Sequence, residues 1–432
     1  MKKLKKIAIV LLKLGVALTV LVIFTFSLFS YATGRKLEGE LNRLRREGTP
    51  TSIAELEAAW ERPGESYQSF TPYVQQLKKS LKGISLPAPQ WEDAEKLDTF
   101  DRYANLHLDN IPVDLLPQFY AASRRMEPVF AEMESKHYAP DLQWVVDSFL
   151  RPNLQGDNSL REMAHARNLA RAISREYLIR LKMGDSSTAL RRMELGLKLS
   201  DEIAYSPGMI HGLVAAGCQQ ILNAAVQESV TSDLLSTEDA EKIYTMLADN
   251  EERIENIQGR SYEGEMVFSL LSSQAMGEKA VSRIITNPAS LSAIRFAEKS
   301  KQSIGKSVTK DDFMALTAWY DTLGKSVAPV HARTNASYNR LTAELRATRI
   351  LLAAYQVRAN TGSLPATLGE LETRFGEPLP KVPITNANFK YTVKGDTVRV
   401  EAERFQEASE KHLAVEIVVP AIGKSYHFTG KP

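Results

Sequence analysis

Two Glu-x-x-His pairs, Glu134/His137 and Glu162/His165, have the spacing with which a helix offers a carboxylate and an imidazole to one iron. A di-iron site also needs a lone glutamate from each of two further helices, and Tyr138-Ala139-Pro140 breaks the first helix at its histidine. Both pairs are therefore read as solvated or hydrogen-bonded histidines. His211 and Cys218 stand seven residues apart on one helix face, as a thiol nucleophile and its base might. Two helical turns separate their backbones by roughly 10 Å, too far for a direct hydrogen bond, so core packing is the reading.

Gly305-Lys306-Ser307, Gly324-Lys325-Ser326 and Gly423-Lys424-Ser425 each match the end of a phosphate loop. The glycine required five positions earlier is Ser300, Trp319 or Val418, so none qualifies. In Tyr262-Glu263-Gly264-Glu265, two acids sit as a hydrolase carboxylate pair would, but residues two apart on a helix point in different directions. A solvated helix start is expected there. No Gly-x-Ser-x-Gly or His-Glu-x-x-His occurs. No catalytic, cofactor-binding or metal-ligating residue is assigned, and no cofactor is expected.

The single cysteine, Cys218, excludes an intramolecular disulfide and a multi-cysteine metal site, and its apolar helical surroundings predict a buried, inert thiol. Stability must then come from a packed core. The first 36 residues carry seven Lys and Arg, no acid, and an uncharged run from Leu14 to Ala32. That run is about one bilayer thickness of helix, and Lys13 can snorkel to the headgroups. The competing reading is a cleaved signal peptide, since Ser30-Tyr31-Ala32 has small residues where a signal peptidase reads. Bulky Phe26, Leu28 and Phe29 close to the cut favour a retained anchor. Cations on both sides of the span leave the positive-inside count even, but long domains translocate largely regardless of charge. The bulk is therefore placed outside a bacterial cytoplasmic membrane, with a cytoplasmic bulk as the alternative. Removing those seven cations from the 54 basic and 52 acidic groups leaves the other 396 residues at −5, which gives no basic footprint for DNA or RNA.

The elements that must position any site are mostly helical. Pro50-Thr51-Ser52-Ile53-Ala54-Glu55-Leu56-Glu57 and Pro365-Ala366-Thr367-Leu368-Gly369-Glu370-Leu371-Glu372 align position by position as two capped short helices, with Ser52 and Thr367 as N-caps. Periodicity predicts helices over 66–82, from 160 to Gly184-Asp185, and through Ala189, Met193 and Gly196. A third, capped by Ser206 with Pro207 first, should bury Ile210, Leu213, Val214, Gly217, Ile221 and Ala225. Further helices are predicted at 238–257, 262–285, 290–305, 310–324 and 335–359, the last with Tyr338, Leu341, Leu345, Thr348, Leu352 and Tyr355 along a packed seam. Gly362 ends that helix. Strands flank Lys394-Gly395-Asp396, and two more are read at 412–419 and 425–429. The expected fold is mainly α: an N-terminal transmembrane helix, a multi-helix bundle or helical-hairpin array, and a small C-terminal antiparallel β-sheet packed on a helix. Its expected parts are the basic tail and anchor (1–36), juxtamembrane helices and linker (37–90), a helical domain (91–334), and a helix plus sheet (335–432).

Gly184-Asp185 followed by Ala189, Met193 and Gly196 resembles the second half of a tetratricopeptide hairpin. Arg349 to Tyr355, then Gly362-Ser363-Leu364-Pro365, Leu368, Leu371, Pro380, Pro383 and Phe389-Lys390-Tyr391, is similar to the C-terminal half of type II secretion major pseudopilins. The same tail resembles that of uncharacterised, membrane-anchored bacterial proteins with a helical middle. Pro383-Ile384-Thr385-Asn386 stands where pseudopilins carry Asp-Pro and calcium-binding acids, and no Gly-Phe-Thr-x-x-Glu processing site precedes the span. The resemblance thus implies a helix packed on a small sheet, without calcium and without assembly into a pilus.

Three functions are expected in descending order. The first is a non-enzymatic, membrane-anchored extracytoplasmic scaffold whose helices offer a surface to envelope proteins. The second is an envelope enzyme of unrecognised type, with His165 or His211 as acid-base groups. The third is an accessory component of a secretion or pilus-like system, by fold-level analogy.

Overall fold

Helices dominate the computed structural model, which describes residues 2–59, 70–84, 86, 98–105, 115–136, 152–204, 209–276, 280–304, 306, 308–317, 321–402 and 413–418. With no proline to interrupt it, α1 (Lys2–Arg46) runs unbroken from the basic tail into the body. Its apolar stretch is long enough to cross a membrane and only 6% buried. Hydroxyls there turn back on the helix, with Thr25 donating to the Leu21 carbonyl at 2.8 Å and Thr33 to that of Phe29 at 2.9 Å. From Thr33 onward one face turns inward, and Leu37, Leu41 and Leu44 pack against Tyr262, Met266, Leu270, Ile294 and Ala297. The boundary expected at 36/37 thus falls inside a helix.

Both aligned octapeptides start helices, α2 (Ile53–Ala59) and, near the C-terminus, Leu368–Phe375. Ser52 and Thr367 accept from the N–H groups of Glu55 (3.3 Å) and Glu370 (3.2 Å). Each glutamate reaches back one residue further than a capping box requires, to the N–H of Thr51 (2.6 Å) or Ala366 (2.7 Å). α3 (Thr71–Ser80), α4 (Thr99–Asn105) and α5 (Leu116–Ser135) then gather on the hairpin of α6 (Pro152–Lys182) and α7 (Ser186–Ile203).

A chain of buried ions fastens these helices together. Glu176 on α6 is fully buried and accepts from the Tyr103 hydroxyl on α4, from Ser123 Oγ on α5 at 2.9 Å and from Arg180 Nε at 3.4 Å. Arg180 also meets Glu127 at 2.5 Å and Asp185 at 3.3 Å. Arg192 on α7, with no exposed surface, pairs with Glu134 and lies 2.8 Å from Glu127 without the alignment of a hydrogen bond. Its guanidinium stacks over Phe130, 4.9 Å from the ring centre. Burial raises the Glu176 carboxyl, and the three donors pull against that shift.

α8 (Met209–Thr231) also has the length and composition to cross a membrane, but 61% of its apolar window is buried, as in a core helix. Its inward face is rotated from the expected stripe. Ile210 is 42% exposed, and Leu213, Val214, Gly217 and Ile221 are only partly buried. Ala215, Cys218, Leu222 and Val226 go deepest, together with His211, Gln219 and Asn223. The rotation is possible because Gln219 and Asn250 exchange two amide hydrogen bonds of 3.3 Å, so polar atoms can be buried with partners. Gly212 must lack a side chain, since a Cβ would overlap Ser261 and Tyr338, whose hydroxyls are bonded at 2.9 Å. The expected cap Ser206 and Pro207 lie outside the described residues.

The two helices expected at 238–257 and 262–285 are one, α9 (Thr237–Met276). An interior glycine costs about 1 kcal/mol, and burying Ile257 and Tyr262 on either side of Gly259 outweighs it. α10 (Ala280–Gln302) returns against α9, starting ten residues before the expected 290. The helix expected over 310–324 is reduced to α11 (Lys310–Met314), opened by a Thr309/Asp312 capping box. Phe313 wedges against Phe296 (ring centres 5.6 Å apart), and Arg295 takes the Leu316 carbonyl that a continuing helix would have used. α12 (Thr322–Thr361) begins earlier than the expected 335 and crosses the boundary placed at 334/335.

Every residue of the seam Tyr338, Leu341, Leu345, Thr348, Leu352 and Tyr355 is buried. Gly362, at φ +78°, closes α12 by donating to the Arg358 carbonyl at 2.8 Å. After α13 (Leu368–Phe375), β1 (Lys390–Lys394), β2 (Thr397–Ala402) and β3 (Leu413–Val418) form an antiparallel sheet in that order. Val398, Val400 and Ala402 alternate inward, and α12 packs on β2 and β3. Arg358 clamps the hairpin turn through Asp396 at 2.8 Å. One hydrophobic cluster runs from Phe70 to Ala402. The strand expected at 425–429 lies outside the described residues.

Glu127 serves two buried guanidiniums, so Glu127→Ala should lower stability by about 3 kcal/mol, the low end for breaking a buried pair because Glu127 is itself partly exposed. Chemical denaturation of the purified chain checks this; an unchanged midpoint refutes it.

Candidate functional site: a groove between two helices

α7 starts where Asp185 accepts the Thr188 N–H at 3.3 Å. α9 starts at a reciprocal box, with Ser236 accepting the Asp239 N–H at 3.0 Å and Asp239 accepting the Ser236 N–H at 3.3 Å. The two helices lie in contact with an open trough between them. One part, about 630 Å³, is lined by residues including Leu190, Arg191, Glu194, Glu241 and Met246. An adjoining part of about 420 Å³ shares Arg191, Glu194 and Met246 and continues to Lys198 and Arg253. Leu190, Leu195, Leu197 and Met246 supply the trough's apolar lining.

The rim mixes charges: Glu134, Glu194, Glu238, Glu241 and Asp249 face Arg191, Lys198, Lys242 and Arg253. Part of that charge is already engaged. Glu238 pairs with Lys242 at 2.6 Å, Arg191 lies 3.7 Å from Glu134, and Lys198 donates to the Lys136 carbonyl at 2.5 Å. Near-balanced signs give no focused field for a polyanion. An apolar lining with a mixed polar rim suits an amphipathic helix or peptide.

The groups singled out in the sequence have structural roles. Glu162 accepts from the Phe70 N–H and the Thr71 hydroxyl, each at 2.5 Å, so it caps α3 from a neighbouring helix. His165 shares the Thr71 hydroxyl at 2.9 Å, and burial lowers its pKa. Glu134 is taken by Arg192, and His137 lies outside the described residues. Among the described residues, no cluster of three or more His, Cys, Asp or Glu could hold a metal ion. Cys218 is buried and its thiol is pushed up to about 12; it approaches the Ala166 carbonyl at 3.9 Å. Gly324-Lys325-Ser326 is helical within α12, the Lys306 carbonyl accepts from Asn339 at 3.0 Å, and Gly423-Lys424-Ser425 lies outside the described residues.

The acids in Tyr262-Glu263-Gly264-Glu265 correct the expected solvated helix start: they lie in the middle of α9. Glu263 pairs with Lys301, whereas Glu265 is partly buried and accepts the Met209 N–H at 2.9 Å, capping α8. Ser300 and His331, 3.3 Å apart, form a serine–histidine pair that spacing 31 residues apart does not reveal. His331 is 2% exposed, wedged among Phe296, Phe313 and Tyr262, and burial lowers its pKa to about 4. Among the described residues these rings close it off from solvent. The groove itself had a sequence signal: Leu190, Glu194 and Lys198 recur every four residues beside the apolar stripe.

Compared with protein-family models, curated proteins and solved structures, the chain matches none.

Burial raises the Glu265 carboxyl above its ordinary 4.5, against the hydrogen bonds from Met209 and Ser269. Its stabilising contribution is therefore complete below pH 4.5 and is lost as pH rises through the folded-state pKa. Glu265→Gln removes the ionisation and keeps an acceptor for Met209. Its melting temperature should match the parent's in acid and exceed it at neutral pH; a constant offset across the range refutes the assignment.

Proposed function

We propose that the chain is a membrane-tethered, non-catalytic interaction module: α1 holds it in the bilayer, and the groove between α7 and α9 receives a helical or extended segment of an envelope protein. The observation that carries this reading is the division of α1 into a part with apolar side chains exposed, such as Leu18 at 62% and Phe24 at 64%, and a part docked on the body. A bacterial cytoplasmic membrane, with the body on the outer side, is the location this reading takes. The polar roles of Glu162, Glu176 and Glu265 in fastening helices weigh against the enzyme reading. A secretion-accessory role draws support from α12 lying on β2 and β3, and would use the same tether.

Wild-type chain should stay in the membrane pellet through an alkaline carbonate wash. An Ile23→Asp/Phe24→Asp variant, at about 2.5–3.5 kcal/mol per aspartate in mid-bilayer, should move to the supernatant. Recovery of wild type in the wash, trimmed just past Ala32, overturns the tether. For the groove, cross-linking in detergent-solubilised membranes should capture a partner that Met246→Asp loses. A central substitution costing about 2 kcal/mol corresponds to a roughly thirtyfold weaker complex. No capture by wild type, or equal capture by the variant, overturns the interaction reading.

A further inference from the structure

The helix that receives α1 runs in the same direction as α1. Asn287 Nδ2 reaches the Ser30 carbonyl at 3.5 Å, a Cβ on Gly34 would lie 3.4 Å from that same nitrogen, and Arg43 pairs with Glu298 thirteen and eleven residues further on. Ser30 is also where α1 passes from exposed to docked, beside Tyr31 and Arg35, whose guanidinium sits 5.9 Å from the tyrosine ring. An aromatic and a cation at the end of an apolar span mark the headgroup level. α10, however, starts at Ala280, seven residues before Asn287, which places its first turns about 10 Å beyond that level on the lipid side. α9 ends at Met276 and α10 begins at Ala280, so the end of α9 lies at the same depth.

Exposure along α1 agrees with a neighbour there. Val22 and Phe26, one turn apart, are 44% and 50% exposed, against 60% for Val20 and 64% for Phe24. The less exposed pair continues, at helical spacing, to the buried Thr33. The sequence suits such a position. Met266 to Met276 contains no charge, and Ala280 to Thr286 has the single cation Arg283 among Val281, Ile284 and Ile285.

We propose that the last turn of α9 and the first turns of α10 form a second membrane contact, seated in the interfacial lipid beside α1; this rests on the reading of α1 as a lipid-embedded helix. The occupant of this face is the bilayer itself, and the two contacts together fix the body's height and tilt. Because Cys218 is buried, an introduced cysteine is the one that labels. Full-length chain with Ala280→Cys, Ile284→Cys, Phe24→Cys or Glu241→Cys is labelled with an environment-sensitive fluorophore and reconstituted into phosphatidylcholine vesicles. The first three labels should shift to the blue and lose emission to a lipid-borne nitroxide, while the label at Glu241 should lose emission to aqueous iodide. Lipid quenching at Phe24 with iodide quenching at both α10 sites overturns the second contact alone. Iodide quenching at Phe24 as well overturns the tether and the contact together.

Discussion

Burying Arg192 and Glu176 constrains the rest of the helical body. An ion of this size loses several kcal/mol on leaving water, and that loss is tolerable only where every charge meets an opposite one. Glu176 meets Arg180 on its own helix, α6, but Arg180 also meets Glu127 on α5, and Arg192 on α7 meets Glu127 and Glu134 on α5. A register shift of one turn in α5 or α7 would leave Arg192 in the interior without its partners. The ions therefore select one arrangement of helices more than they add to its stability. The groove inherits this selection, since Glu134 belongs to both the network and the rim.

A second polar layer does similar work deeper in the chain. Gln219 and Asn250 join α8 to α9, Ser261 and Tyr338 join α9 to α12, and Glu251 binds both Arg346 and Arg349 across the α9–α12 face. α8 is thus held by hydrogen bonds as well as by fit, which is why a helix apolar enough to resemble a span is a core element. The distinction between α1 and α8 rests on burial and could not come from composition.

The features legible in the sequence are those fixed locally. Ser52, Thr367 and Gly362 mark their helix ends through the backbone geometry of their own turns, and the α12 seam and the β1–β2 hairpin follow from periodicity. The features that were not legible depend on contacts far along the chain. The rotation of α8 follows from Asn250, the early stop of α11 from Phe296 and Arg295, and the continuity of α9 through Gly259 from the burial of residues on either side. Glu176 gave a faint signal, standing three residues after Ile173 and four before Arg180 on an otherwise apolar stripe. Its partners Tyr103 and Ser123 have no sequence relation to it. The groove showed one wall, through Leu190, Glu194 and Lys198, but nothing local says that α9 supplies the other.

Because α1 has neither a proline nor a loop between its greasy portion and its docked portion, the chain has no swivel between them. Under the tether reading, a bilayer that thins or thickens makes the span lean, and the body leans with it as a rigid lever. The trough would then sweep an arc, its distance from the lipid set by the thickness of the surrounding membrane.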